Sequence, residues 1–140
     1  MAFGLKEGTN SWRIGIQHPR KPEELVASLA LTDKAVATSG DYQKYFIQGE
    51  TRYHHILNPV NGWPSTQAIS ATVIADTVAD ADALSTSLFI LGAKKGLDLI
   101  NRLDGVEGMI LSDIKSASFS SGFRNRPGLS LQGFKENLSQ

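Results

Sequence analysis

The residues best suited to chemistry fall in two stretches of this 140-residue chain. The first, 53–64, carries His55 just before a rigid, proline-containing turn, where a β-type run ends. The second, 80–86, carries the carboxylate of Asp82 together with two hydroxyl side chains. An imidazole that titrates near neutral pH and a cluster of hard oxygen ligands are the usual parts of a Mg²⁺-assisted group-transfer site. We therefore expect the two stretches to meet in space.

The hydroxyl side chains are Ser85 and Thr86, spaced i+3 and i+4 from Asp82. Side chains at these positions are neighbours on a helix, so all three can point at one ion. A plainer interpretation stays open. Asp82 in the first turn would favour the helix dipole, and the two hydroxyl residues would be small packing residues.

A helix over about 79–91 would position this cluster. Thr77 and Asp80 have the spacing of a capping box, and Gly92 is a typical helix stop. The stripe expected to face the core repeats at 3.6-residue spacing and comprises Ala81, Leu84, Leu88 and Leu91. A second helix is predicted over about 93–103.

The histidine stretch reads as the second strand of a hairpin that runs into a loop. Successive strand residues point to opposite faces, so His54 and His55 cannot both serve one site. A lone strand histidine can equally be a hydrogen-bonded structural residue. His55, however, comes where a loop leaves the sheet, and loops on a rigid scaffold often carry function.

A third candidate segment spans 38–42 and includes Thr38, Ser39 and Gly40. Small hydroxyl residues and a glycine allow a backbone to approach a ligand closely. The alternative interpretation of the segment is a simple β-corner.

Composition narrows the function class. Basic and acidic residues number 14 each, which gives a formal net charge of zero and no sign of a nucleic-acid partner. The absence of cysteine excludes disulfides, thiolate metal sites and cysteine nucleophiles. Phosphate-loop, dinucleotide and nucleophile-elbow motifs are missing, and the three histidines lack zinc-site spacing.

Strands dominate the predicted order, with two consecutive helices inserted late. This order favours an α+β fold, a mainly antiparallel sheet with the helices packed on one face. The predicted strands cover 12–17, 25–32, 35–38, 42–48, 51–57, 68–75, 107–112 and 116–123. We expect 25–32 to pair with 35–38, and 42–48 to pair with 51–57. Residues 1–123 would form the domain, and 124–140 a loosely held polar tail.

Three short motifs resemble, in order and spacing, those of the ApbE family. They are T-S-G-D-Y at 38–42, H-I-L-N-P at 55–59 and D-A-L-S-T at 82–86, with Gly62, Pro64 and Gly92 at matching positions. The stretch at 12–19 is similar to the strand that precedes these motifs in the family. The resemblance extends over roughly residues 10–123.

The resemblance implies an FAD:protein FMN transferase. Such an enzyme moves FMN from FAD to a threonine hydroxyl of an acceptor flavoprotein, releases AMP and needs Mg²⁺. By motif, the resemblance implies His55 as the catalytic base, Asp82, Ser85 and Thr86 as metal ligands, and Thr38, Ser39, Gly40 and Ile56 as contacts to the flavin nucleotide. Two alternatives are an FAD diphosphatase, which gives FMN and AMP, and a noncatalytic flavin-binding module.

The chain departs from the family pattern in places. Asn58 stands where aspartate is common, and Asn61 where threonine is common. Family members are about twice as long, so the chain resembles their C-terminal half, and the missing N-terminal half would supply much of the flavin pocket. We therefore expect the chain alone to be inactive or weakly active. The resemblance also implies a lipid-anchored protein of the cell envelope, on the periplasmic side of the inner membrane.

Overall fold

A computed structural model describes Gly8 and residues 11–132. The elements are, in chain order, β1 Trp12–His18, β2 Lys21–Leu31, β3 Ala35–Gly40, β4 Tyr45–Gln48, β5 Thr51–His54, β6 Ser70–Ala75, α1 Val78–Ile100, β7 Glu107–Asp113, β8 Ser116–Phe119, α2 Ser121–Arg124 and β9 Ser130–Leu131. Within the described part of the chain, no helix is long and apolar enough to cross a membrane.

The strands form three sheets in which every pairing is antiparallel. The orders are β1-β2-β9, β3-β6-β7-β8 and the two-stranded β4-β5. All six residues of β6 are buried because this central strand is covered on both faces. One apolar cluster fills the space toward β1-β2-β9, and another lies under α1. The predicted α+β class is confirmed.

The predicted capping box and helix stop are both present in α1. The Asp80 N–H donates to Thr77 Oγ1 at 3.1 Å, and this hydroxyl lies 2.7 Å from the Asp80 carboxylate. Gly92 adopts φ 77° and ψ 178°, which breaks α1 into two helical segments. A positive φ of this kind favours glycine. The second segment ends at Ile100, slightly earlier than predicted.

The buried face of α1 differs from the predicted stripe. Ala81 and Leu88 are buried as expected, but Leu91 is 39% exposed. Ser85 and Phe89 are fully buried instead. The helix is rolled toward these two residues because the Ser85 hydroxyl finds a partner on β3, and the Phe89 ring packs edge-on against a histidine ring on β5.

The predicted pairing of 25–32 with 35–38 is wrong. β2 pairs with β1 and β9, whereas β3 pairs with β6 in the other sheet. The chain passes between the sheets at Asp33, which has φ 49°. An ion pair between Lys34 and Asp76 then joins the start of β3 to the end of β6. The predicted hairpin of β4 and β5 is confirmed.

The C-terminal region is also more ordered than expected. The last predicted strand stops at Phe119, because Ser120 caps the short helix α2 by accepting the Phe123 N–H. The expectation that the chain is loosely held from 124 onward is wrong for 124–132, where β9 pairs with β2 and Leu129 packs against the core. Residues 133–140 of the predicted tail lie outside the described residues.

Candidate functional site

The two stretches singled out for chemistry meet in one cavity of about 340 Å³. It lies between β3, the end of β5 and the first segment of α1. Its lining consists of Thr38, Ser39, Gln43, His55, Ile56, Leu57, Asp82, Thr86 and Ile90. The predicted convergence of 53–64 with 80–86 is therefore confirmed.

Asp82 supplies the charge at this cavity. It is exposed, and the side-chain hydrogen bonds it receives within 11–132 go to its carbonyl oxygen, from the hydroxyls of Ser85 and Thr86. Its carboxylate is consequently available to a ligand or a cation.

A network of three hydroxyls joins α1 to β3. Ser85 Oγ donates to the Asp82 carbonyl at 2.9 Å, so Ser39 donates in its own 2.9 Å bond to Ser85. Thr86 Oγ1 lies 2.9 Å from Ser39 Oγ and also donates to the Asp82 carbonyl at 3.3 Å, so its one proton points to that carbonyl or is shared with Ser39. In either arrangement the Thr86 oxygen keeps at least one lone pair for a cation. Ser85 is fully buried and does not line the cavity, so it touches the site through Ser39.

The 38–42 segment contributes in two different ways. Thr38 and Ser39 line the cavity, and Thr38 Oγ1 lies 2.8 Å from Thr72 Oγ1 on the neighbouring strand β6. Gly40 does not line the cavity. A Cβ at Gly40 would lie 2.3 Å from Cε1 of Tyr42, so the ring of Tyr42 fills the space of the missing side chain. Gly40 therefore serves the packing of this corner.

The corner itself is fixed by an ion pair. Both guanidinium NH groups of Arg20 donate to the carboxylate of Asp41, at 2.6 and 2.7 Å. This bidentate bond raises the pKa of Arg20 above its ordinary value. Burial raises the pKa of the neighbouring Tyr42, although a hydrogen bond with Ser70 opposes the shift. The pair joins the β1–β2 turn to the end of β3.

His55 and His54 occupy opposite faces, as predicted. His55 is exposed, and its Nδ1 lies 3.2 Å from the carbonyl oxygen of Lys44. A carbonyl oxygen can only accept, so Nδ1 carries the proton and Nε2 of the neutral ring is left with a free lone pair. This is the arrangement that a general base requires. His54 is buried.

Ile56 presents an apolar wall to the cavity. Its N–H donates to His54 Nδ1 at 3.3 Å, and its carbonyl accepts the Ser65 N–H at 3.0 Å. Both backbone groups are therefore already hydrogen-bonded. A flavin contact by Ile56 would then come from its side chain or from the second lone pair of its carbonyl oxygen.

Sequence reasoning missed Gln43, Leu57 and Ile90, which also line the cavity. Ile90 could have been found, because it lies four residues after Thr86 and therefore on the same helix face. Leu57 could have been found from its place on the same strand face as His55. No signal in the sequence distinguishes Gln43.

The donor set fits Mg²⁺. The cavity lining offers one carboxylate, from Asp82, and one hydroxyl oxygen with a free lone pair, from Thr86. The described residues contain no group of three or more metal-ligating His, Asp or Glu side chains. Mg²⁺ is commonly bound by one or two carboxylates plus water and substrate phosphates, without an all-protein cage.

Comparison with known proteins gives consistent matches. An FAD:protein FMN transferase of Treponema pallidum is 36% identical over 138 residues, and one of Klebsiella pneumoniae is 34% identical over 117 residues. These matches cover 89% and 82% of this chain. The crystal structure of the ApbE protein from Thermotoga maritima has a TM-score of 0.78 at 38% identity and covers 86% of this chain.

The chain spans only part of these proteins. It covers 37% of each of the two transferases and 40% of the Thermotoga maritima protein. The sequence profile of the ApbE family matches residues 1–110, which include all three motifs and the whole lining of the cavity. The chain belongs to the ApbE family.

Proposed function

We propose that the cavity is the metal-and-base part of an FAD:protein FMN transferase site. In this proposal FMN passes from FAD to a threonine hydroxyl of an acceptor flavoprotein, and AMP is released. The observation that carries the proposal is the convergence of Asp82, Thr86 and His55 on one cavity, with Nε2 of His55 left free by the bond from Nδ1 to Lys44. The FAD:protein FMN transferases among the relatives support it.

The proposed step is a substitution at phosphorus. The threonine oxygen forms a bond to the phosphorus of the FMN half, and the bond from that phosphorus to the bridging oxygen breaks. The bridging oxygen leaves with AMP, and the hydroxyl proton passes to Nε2 of His55. Bound Mg²⁺ would neutralise charge on the diphosphate.

Each residue has a distinct role in this proposal. Asp82 and Thr86 would hold Mg²⁺ through their oxygens, and Ser39 holds the Thr86 hydroxyl through a 2.9 Å hydrogen bond. The Lys44 carbonyl orients the imidazole of His55 and stabilises the imidazolium that forms when Nε2 gains the proton. Leu57 and Ile56 contribute apolar surface.

Two variants test the division of labour. Asp82→Asn keeps the size of the side chain and removes its charge, so Mg²⁺-dependent FAD binding and AMP release should both be lost. His55→Ala should leave Mg²⁺-dependent FAD binding intact and slow transfer by about 10²–10⁴-fold, the usual cost of losing a general base. Asp98→Asn is the matched control, an exposed aspartate on the second segment of α1.

The assay uses the chain alone and the chain fused to the remaining length of a full-length relative. FAD binding is followed by flavin fluorescence during a Mg²⁺ titration, and AMP and flavinylated acceptor are quantified by chromatography. Wild-type transfer by His55→Ala would show that the histidine is structural. Unchanged metal affinity in Asp82→Asn would show that Asp82 does not bind the metal and only interacts favourably with the helix dipole. AMP release without any flavinylated acceptor would indicate the diphosphatase alternative.

A further inference from the structure

The loop that follows His55 is closed by a cycle of three buried hydrogen bonds. The Ile56 N–H donates to His54 Nδ1 at 3.3 Å, and the Ser65 N–H donates to the Ile56 carbonyl at 3.0 Å. The Ser65 carbonyl lies 3.0 Å from His54 Nε2, which completes the cycle. His54, Ile56 and Ser65 are each less than a tenth exposed.

The donors and acceptors in this cycle fix the protonation of His54. A backbone N–H can only donate, so Nδ1 must present a lone pair to Ile56. A carbonyl oxygen can only accept, so Nε2 must carry the hydrogen that reaches Ser65. The cycle is therefore complete only with the neutral Nε2–H tautomer of His54. An imidazolium would turn an N–H toward the Ile56 N–H.

The same imidazole is fixed from the side of the helix. The His54 ring packs edge-on against Phe89 of α1, with a centroid distance of 5.5 Å and an interplanar angle of 79°. Phe89 lies one turn beyond Thr86 and Ser85, on the segment that also carries Asp82. The ring of His54 is thus one contact between the loop that follows His55 and the helix that holds the other half of the cavity.

We propose that His54 is a positioning residue that sets His55 at the cavity, and that it acts only as the neutral Nε2–H tautomer. Of this inference, only the predicted effect on flavin transfer rests on the proposed function. The hydrogen-bond cycle holds whether or not the cavity binds flavin. His54 does not face the cavity, so it is not itself a catalytic residue.

The first experiment needs no flavin. Long-range ¹⁵N–¹H NMR spectra of the 140-residue chain should show the protonated nitrogen of His54 at Nε2. Amide hydrogen exchange at Ile56 and Ser65 should be slow in the wild-type chain, because both N–H groups are buried and hydrogen-bonded. A proton on Nδ1, or rapid exchange at both amides, would overturn the proposal.

Two variants separate the two ring nitrogens. The Asn oxygen mimics Nδ1, so His54→Asn should keep the Ile56 amide protected. The Gln amide nitrogen mimics Nε2 and leaves Ile56 without its acceptor, so His54→Gln should speed exchange at Ile56 by about tenfold, as expected for one lost buried hydrogen bond. Equal exchange at Ile56 in the two variants would refute the assigned roles. His18→Gln, at the end of β1, is the control.

The third measurement links the cycle to the site. In the fusion used for flavin transfer, His54→Gln should lower kcat while the KM for FAD stays close to wild type, and His54→Asn should recover most of kcat. A purely structural role would lower thermal stability equally in both variants without this split. If the exchange results hold and transfer is absent in every protein, the proposed function fails and the His54 cycle stands.

Discussion

Leu88 gives the most direct test of how α1 packs on the sheet. It is fully buried, and it lies between two glycines. A Cβ added at Gly96 would lie 2.6 Å from Leu88 Cδ1, and one added at Gly108 would lie 3.1 Å from Leu88 Cδ2. The two methyl groups therefore contact backbone on both sides, in the second segment of α1 and in β7.

These backbone contacts determine how much stability Leu88→Ala costs. Leucine-to-alanine changes in cores cost about 2–5 kcal/mol, and the cost is higher where the site cannot collapse. Here the walls are a helix and a central strand, which cannot move inward without loss of their own hydrogen bonds. We expect a loss of about 3–5 kcal/mol in the free energy of unfolding. Leu91→Ala should cost below about 1 kcal/mol, because Leu91 is 39% exposed.

Urea denaturation followed by far-ultraviolet circular dichroism measures both variants against the wild type. Leu88→Met keeps the volume and should cost below about 1.5 kcal/mol, which provides a folded comparison if the alanine variant does not fold. If Leu88→Ala lowers the free energy of unfolding by only about a few tenths of a kcal/mol, or by the same amount as Leu91→Ala, the buried face of the helix has been assigned wrongly.

Three further predictions concern the site and its surroundings. Ser39→Ala removes both hydroxyl hydrogen bonds between β3 and α1. It should therefore lower the free energy of unfolding by about 1–3 kcal/mol in the same urea assay and weaken Mg²⁺ affinity. Because burial raises the pKa of Tyr42 above 10.0, the unfolded chain ionises first, and wild-type stability should fall as the pH rises above that value. Tyr42→Phe should flatten this alkaline loss in pH-dependent thermal melts. The chain alone should bind FAD weakly and release little AMP, and strong Mg²⁺-dependent AMP release by it would refute that expectation.

The features that the sequence predicted well are local ones. The Thr77–Asp80 capping box, the break at Gly92 and the β4–β5 hairpin each depend on residues within a few positions of one another. Propensity, capping and turn chemistry act over this range, so the signal is present in a short window of sequence.

The errors come from contacts between distant residues. Helical periodicity placed Leu91 inside and gave no reason to bury Ser85 more deeply than Leu91. The partner of Ser85 is Ser39, 46 positions earlier, and a polar side chain is buried when such a partner exists. The pairing of β3 with β6 likewise joins distant residues, from Ala35 with Ala75 to Gly40 with Ser70, and no local pattern reveals it.

In the candidate site, too, local motifs were predicted well and contacts between distant residues were not. The motifs predicted that His55, Asp82 and Thr86 would share a cavity, and they do. The motifs could not show that Gly40 serves the ring of Tyr42, since a glycine beside hydroxyl residues resembles a ligand-binding turn. They also could not show which nitrogen of His55 is free, because that follows from the position of the Lys44 carbonyl.

The two sides of the cavity are held in place to different degrees. Asp82 and Thr86 lie on a helix that is hydrogen-bonded to β3, itself part of a four-stranded sheet. His55 follows a two-stranded sheet whose strands pair, among the described residues, only with each other, and an isolated hairpin is marginally stable at best. The position of His55 relative to Asp82 and Thr86 therefore depends on contacts outside strand pairing. The contacts of His54 with Ser65 and Phe89 are two buried ones, so a change there should alter the proposed flavin transfer more than the proposed Mg²⁺ binding.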